Sequence, residues 1–200
     1  MGDIKDQKII DETQIENFIQ STVVIKQYLD YISSTFSSVR DKYMAENVSW
    51  ILEHNPESKI VLWAHNEHIS KHYQAMGKYL AERYGNQYYS IGFLSNKGKY
   101  TAGNSQFTIS TENKLAEGKP GSFEYNFSKT GLPIFFLDLN SLDTNNPQSN
   151  WLNDRLYQRI IGGDATDDQF WPVSIKDKFD GIIFINSTNP SKTFLPIKNN

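Results

Sequence analysis

Three short, almost continuous apolar runs constrain this chain more than anything else in it: Ile60-Val61-Leu62-Trp63-Ala64, Pro133-Ile134-Phe135-Phe136-Leu137, and Phe179-Asp180-Gly181-Ile182-Ile183-Phe184-Ile185. Side chains on a strand alternate between two faces, so a run with no polar positions predicts a strand buried on both, as in a parallel or mixed sheet with a layer on either side. Around these runs the period changes to that of helices. Between Glu12 and Phe36 an apolar stripe forms from Ile15, Phe18, Ile19, Ile25, Leu29 and Ile32. Ser38-Val39-Arg40-Asp41 has the form of a capping box for a second helix, whose apolar face is Val39, Tyr43, Met44, Val48, Ile51 and Leu52 and which Asn55-Pro56 stops. A third helix should carry Tyr73, Met76, Leu80 and Tyr84 on one side and end at Gly85. Strands alternating with helices predict an α/β fold: a layered, mostly parallel or mixed sheet flanked by helices.

The remaining segments fill in this plan. Gln87 to Ser95 reads as a strand that Asn96-Lys97-Gly98 turns into Lys99 to Ala102 as a hairpin. Asn104 to Pro120 reads as a loop or weak strand, Ser122 to Lys129 as a short helix ending at Gly131, and Asp143 to Asn150 as a polar loop. Trp151 to Ile160 fits either a helix or an extended segment, and residues 1–11 read as a flexible start. With no cysteine among 200 residues, a disulfide scaffold, a thiolate metal site and a cysteine nucleophile are all excluded. No stretch reaches the roughly 18 consecutive apolar residues of a membrane helix, and a formal charge of −3 with scattered Lys and Arg offers no basic patch for nucleic acid. The expectation is a cytoplasmic protein with neither membrane nor nucleic-acid partners. A mean hydropathy of −0.56 is lean for a self-sufficient core of this size.

All four histidines, His54, His65, His68 and His72, fall in one short window. His65 and His68 stand out, because Trp63-Ala64-His65-Asn66-Glu67-His68 lies where a buried strand runs out before a helix, the position at which open α/β sheets bind ligands. Two imidazoles flanking an amide and a carboxylate can supply a general acid or base, a donor to a developing oxyanion, and a group that orients a ring. The same residues also fit satisfied structural histidines, or a His-x-x-His chelate, although the zincin pattern is absent. A helix terminus suffices to explain His54, and a solvated position His72. A second constellation places Arg40, Met44 and Asn47 on one helical face, where a guanidinium and an amide could enter a cleft or simply be solvated.

Taken together, Arg40-Asp41-x-x-Met44-Ala45-x-Asn47, Trp63-Ala64-His65-Asn66-x-His68, Met76-Gly77 and Tyr88-Tyr89-x-Ile91-Gly92-Phe93 resemble the erythromycin esterase family in order and spacing. Arg159-x-Ile161-Gly162 and Phe179-Asp180-Gly181 fit its C-terminal region. The family's N-terminal Gly-Glu-x-x-His-Gly run, whose histidine activates water, does not occur here, so the chain resembles the C-terminal half of such a protein, with residues 12–200 an incomplete α/β domain. The resemblance implies hydrolysis of a macrolide or related cyclic ester, and thus antibiotic resistance in bacteria, by histidine-activated water with no cofactor and no obligatory metal. It implies His65 and His68 as catalytic residues, with Arg40, Asn47, Asn66, Glu67 and Trp63 binding substrate or supporting the cleft. Without the general base the chain alone is expected to be weakly active or inactive. The alternative is a non-catalytic module that holds a small ligand or a metal in the same histidine cleft. Either self-association or a missing N-terminal half is the expected partner for a half domain with open sheet edges.

Overall fold

The computed structural model describes residues 11–36, 38–103, 108–143 and 145–192. The expected flexible start therefore lies, apart from Asp11, outside the described residues. The chain divides into two compact units, residues 1–61 and 62–200.

The first unit is an antiparallel helix pair, α1 (Glu12–Ser33) and α2 (Ser38–Glu53). Asp11 caps α1 by accepting from the Thr13 N–H. Ser38 is the first residue of α2 itself, one place further in than a capping residue would stand. The two helices meet through polar side chains. Gln20 Nε2 donates to Asn47 Oδ1 at 2.8 Å, Asn47 Nδ2 to Gln27 Oε1 at 3.0 Å, and Tyr43 Oη to Asp30 Oδ2 at 3.0 Å. The predicted apolar stripe of α1 is present but uncovered: Ile15, Phe18, Ile19, Ile25, Leu29 and Ile32 are all exposed, and the one buried α1 residue is Gln27.

The second unit is built on a four-stranded mixed sheet in the order β2-β1-β6-β3, with strands β1 (Ile91–Gly103), β2 (Ile109–Leu115), β3 (Ile134–Asp138) and β6 (Gly181–Thr188). β1 and β6 run parallel, and β2 and β3 join them antiparallel. Four helices accompany the sheet: α3 (Asn66–Ile69), α4 (Met76–Tyr84), α5 (Phe123–Ser128) and α6 (Ile175–Lys178). A separate two-stranded sheet pairs β4 (Arg155–Arg159) with β5 (Phe170–Ser174). One face of the main sheet carries Leu94, Ile182, Phe184, Phe135 and Leu137. It packs on Phe123, Phe127, Trp151 and Leu152, with Phe127 edge-on to Phe135 at 5.5 Å.

The structure corrects several of the sequence expectations. Residues 60–64 form no hydrogen-bonded strand, and Val61 and Trp63 are 92% and 86% exposed. β3 is the edge strand, so Ile134 and Phe136 stay exposed where burial on both faces was expected. The apolar runs state what the strands need, and here only one side of that need is met. No hairpin forms at Asn96-Lys97-Gly98, because β1 runs straight through it. Gly98 marks a close approach rather than a turn: at φ 129° it lies so near β6 that an added Cβ would meet the Thr188 carbonyl oxygen at 2.1 Å. The segment read as a loop or weak strand does hold a strand, β2, whereas Tyr73 precedes α4 at φ 65° instead of joining its apolar side. The short helix before Gly131, at φ 72°, and the Gly85 helix end, at φ 55°, are where the sequence places them.

Arg159 ties the two sheets together. Its guanidinium donates to the carbonyls of Ser95, Asn96 and Ala116 and to Gln169 Oε1, and it lies 4.7 Å from the Phe170 ring centroid. Its own backbone N–H donates to Glu124 Oε1 at 2.8 Å. Burial pushes the Glu124 carboxyl up to about 7 against the opposing pull of Arg159, and Glu124 Oε2 has no hydrogen-bond partner among the described residues.

Two predictions follow from this packing. Gly98→Ala should lower stability by about 3 kcal/mol in urea unfolding, since a backbone oxygen cannot yield as a side chain can. For Glu124 the folded pKa lies above the unfolded one, so its contribution is full below about pH 4.5 and is lost as pH rises through about 7. The stability difference between the protein and Glu124→Gln should therefore change by on the order of 3 kcal/mol between pH 4.5 and 7.5, with the wild type losing ground as pH rises; a constant difference contradicts the assignment.

Candidate functional site

His65 and His68 sit on the single helical turn α3. His65 is its N-cap, with φ −60° and ψ 149°. The Glu67 backbone N–H lies 3.3 Å from His65 Nδ1. That N–H can only donate, so Nδ1 accepts, and in the neutral ring the proton resides on Nε2. The exposed side of His65 thus presents a hydrogen-bond donor. His68 is half-buried on the same turn, its backbone N–H bonded to the His65 carbonyl at 2.9 Å.

The turn is fastened at four points. Asn66 Nδ2 donates to the Phe93 carbonyl at 2.7 Å while the Phe93 N–H donates to Asn66 Oδ1 at 2.9 Å. Asn66 therefore satisfies both backbone groups of a β1 residue, as a neighbouring strand would. Glu67 Oε1 accepts from Lys178 Nζ at 2.5 Å, and Lys178 is almost wholly buried. The Ile69 carbonyl accepts from Tyr88 Oη at 2.6 Å. At Gly77 an added Cβ would stand 2.2 Å from the Ile69 carbonyl oxygen, so glycine is what allows α4 to pack against the turn.

Just beyond the turn, Lys71 binds Asp180 at 2.6 Å, and Asp180 also accepts from the Asn140 amide and the Ser90 N–H. Burial works against ionisation of Asp180, but Lys71, Ser90 and Asn140 together hold its carboxyl below the usual range. Tyr89 Oη donates to Asp138 Oδ1 at 2.9 Å, and burial with that bond pushes the Tyr89 hydroxyl up to about 12. Burial raises Tyr88 as well. Lys71, Tyr88, Tyr89, Asn140 and Asp180 line a cleft of about 360 Å³.

Of the residues singled out in the sequence, the second unit gathers five. Trp63, whose ring is edge-on to Phe93 at 5.4 Å, lies beside the turn that carries His65, Asn66, Glu67 and His68. Arg40 and Asn47 belong to the first unit, where Arg40 is exposed on α2 and the Asn47 amide is committed to Gln20 and Gln27 of α1. His54 follows α2, its Nδ1 donating to the Trp50 carbonyl at 2.8 Å, as the helix-terminus explanation requires. His72 is exposed in the turn before α4 rather than on a helix. Among the described residues no group of three or more His, Asp or Glu side chains is placed to hold a metal ion, and no helix is long and apolar enough to cross a membrane. Sequence reasoning missed Lys178, Lys71 and Asn140. A lone lysine beside the Phe179-Asp180-Gly181 run gave no sign that it would reach Glu67 across 111 positions.

Comparison with known proteins agrees with the motif order. The chain is 26% identical over 186 residues to the putative hydrolase YbfO of Bacillus subtilis, covering 84% of this chain and 39% of that protein. It is 28% identical over 169 residues to an erythromycin esterase type II of Escherichia coli, covering 76% and 38% respectively. A crystal structure of a Bacillus cereus protein superposes with a TM-score of 0.78 at 25% identity, over 88% of this chain and 46% of that one. The chain thus spans about two fifths of the length of these curated relatives. The family model for erythromycin esterase matches residues 3–188, and the chain belongs to that family.

Proposed function

We propose that the chain carries the C-terminal part of a hydrolase that cleaves a macrolide or related cyclic ester with histidine-assisted water. The observation that carries this reading is the His65 tautomer. With Nδ1 held by the Glu67 N–H, the outward Nε2–H is a donor fixed before substrate arrives, which is what a carbonyl oxygen needs as it gains charge. As the water oxygen bonds to the ester carbon, the carbonyl electron pair moves onto oxygen and is met by this donor. Collapse of the tetrahedral intermediate returns that pair and expels the alkoxide, which must gain a proton. His68, on the same turn, is the imidazole we assign to supply it. Asn66 and Glu67 are positioning residues in this scheme, and Trp63 is an apolar wall. The base that deprotonates water is the histidine of the Gly-Glu-x-x-His-Gly run, which this sequence lacks, so the chain alone turns over weakly or not at all.

Assays of the chain with 4-nitrophenyl acetate and erythromycin test the reading. Whatever turnover is found should fall about 100-fold in His65→Ala and in His68→Ala. If none is found, erythromycin should still raise the melting temperature of the wild type and not that of His65→Ala. Turnover that survives both substitutions, or a ligand-induced shift indifferent to His65, overturns it. The clamp gives a separate prediction. Glu67→Gln strips the buried Lys178 ammonium of its counter-charge and should cost about 2 kcal/mol in urea unfolding, while Glu67→Gln with Lys178→Met should recover most of that loss.

A further inference from the structure

The cleft beyond the histidine turn has a chemistry that the hydrolytic scheme leaves unused. Its volume of about 360 Å³ falls within the range of small-molecule sites, about 300–1,000 Å³. Asp180 is the buried group of its lining, and its carboxylate is saturated. Oδ1 accepts from Lys71 Nζ at 2.6 Å and Asn140 Nδ2 at 2.9 Å, and Oδ2 accepts from the Ser90 N–H at 2.8 Å and Ser90 Oγ at 3.3 Å. The groups around Asp180 are not saturated. Among the described residues, Lys71 Nζ keeps two of its three donors, Asn140 keeps its side-chain oxygen and one N–H, and Asn86 keeps its whole amide. Tyr89 adds an aromatic ring to the wall and is 46% exposed.

Charge narrows what can bind there. The Lys71 ammonium is offset by the Asp180 carboxylate, and α4 meets the cleft at Gly85 with its C-terminal end, the negative end of the helix dipole. An anion therefore gains little. A cation finds no open carboxylate in the lining, because four donors occupy Asp180. Tyr88 and Tyr89 stay neutral, since burial raises both hydroxyls. What remains is an electrically balanced set of fixed donors and acceptors beside an aromatic face. A sugar ring matches it: its hydroxyls both donate and accept around the rim, and its C–H groups can rest on the negative face of an aromatic ring. We propose that this cleft binds a neutral pyranoside, with hydroxyls bonded to Lys71, Asn86 and Asn140 and the ring lying on Tyr89. Asp180 holds Lys71 and Asn140 in place before the ligand arrives, which lowers the cost of ordering them on binding. No histidine takes part, so glycoside binding and the hydrolytic scheme stand or fall separately.

The test is an NMR titration of the backbone amides of the full 200-residue chain. The probes are the methyl glycosides of glucose, galactose and rhamnose, with inorganic phosphate as the anionic comparison. The expected result is saturable shifts at the Lys71, Asn86, Tyr89 and Asn140 amides with at least one glycoside at millimolar concentration, and none with phosphate. Asn86→Ala and Tyr89→Ala should each weaken binding about fivefold. Asn86→Ala removes a side chain bonded to nothing else among the described residues, so it leaves the fold in place. Thermal melting checks Tyr89→Ala, which gives up the bond to Asp138. Trp63→Ala, beside the histidine turn, should leave glycoside affinity unchanged. Absence of saturable shifts with all three glycosides overturns the proposal. Phosphate binding at the same amides overturns it as well, and so does a glycoside affinity that ignores Asn86→Ala and Tyr89→Ala or falls in Trp63→Ala.

Discussion

The side-chain amide of Asn66 closes on both backbone groups of Phe93, and the geometry of the histidine turn depends on that clasp. A primary amide carries one acceptor and one donor at nearly the spacing of a peptide group, so it can replace a neighbouring strand for a single residue. Aspartate at this position would keep the acceptor and lose the donor, and alanine would lose both. With Phe93 satisfied in this way, the chain can run past β1 without pairing to it as a strand, turn once at residues 66–69, and present His65 and His68 beside β1. Every other fastening of the turn presupposes that placement. Glu67 reaches Lys178, Ile69 reaches Tyr88, and Gly77 lets α4 come in close behind.

The molecule is unevenly finished, and the contrast has a physical meaning. Around the turn nearly every buried polar group has a partner: Lys178, Asp180 and Ser90 are all engaged, and the Arg159 guanidinium uses four acceptors. Unpaired buried charges are costly, so such a network holds a single arrangement once it has formed. On the opposite face of the sheet, and along α1, apolar side chains remain in water although their sequences are those of covered elements. The polar network is closed on one side of the main sheet, and the apolar face on the other side is open.

Much of the fold could be read from the sequence where the signal was local. The periodicity of α1 and α2, the glycines at the ends of α4 and α5, and the strand at Gly181 to Ile185 all rest on neighbours within a few positions. The readings that failed were those that depend on distant parts of the chain. Gly98 looks like a turn residue until Thr188 is seen beside it, and Ile60 to Ala64 reads as a buried strand although no partner strand lies against it among the described residues. At the candidate site the sequence picked out the histidines and the residues between them by type and position. It could not separate the task of Asn66, which bonds to backbone 27 positions away, from that of Glu67, which pairs with a lysine near the far end of the chain. Asn47 shows the same limit in the other direction, since its amide is spent on α1.

Amide hydrogen exchange at Phe93 tests the account most directly, because that N–H is protected by a side chain and by no neighbouring strand. The account predicts that Phe93 exchanges slowly in the wild type. In Asn66→Ala its rate should rise at least tenfold while Leu94 and the β6 amides stay protected, and the His65 and His68 ring resonances should shift as the turn loosens. A Phe93 amide that exchanges freely in the wild type, or one equally protected in Asn66→Ala, would contradict the claim that this amide clasp holds the histidine turn in place.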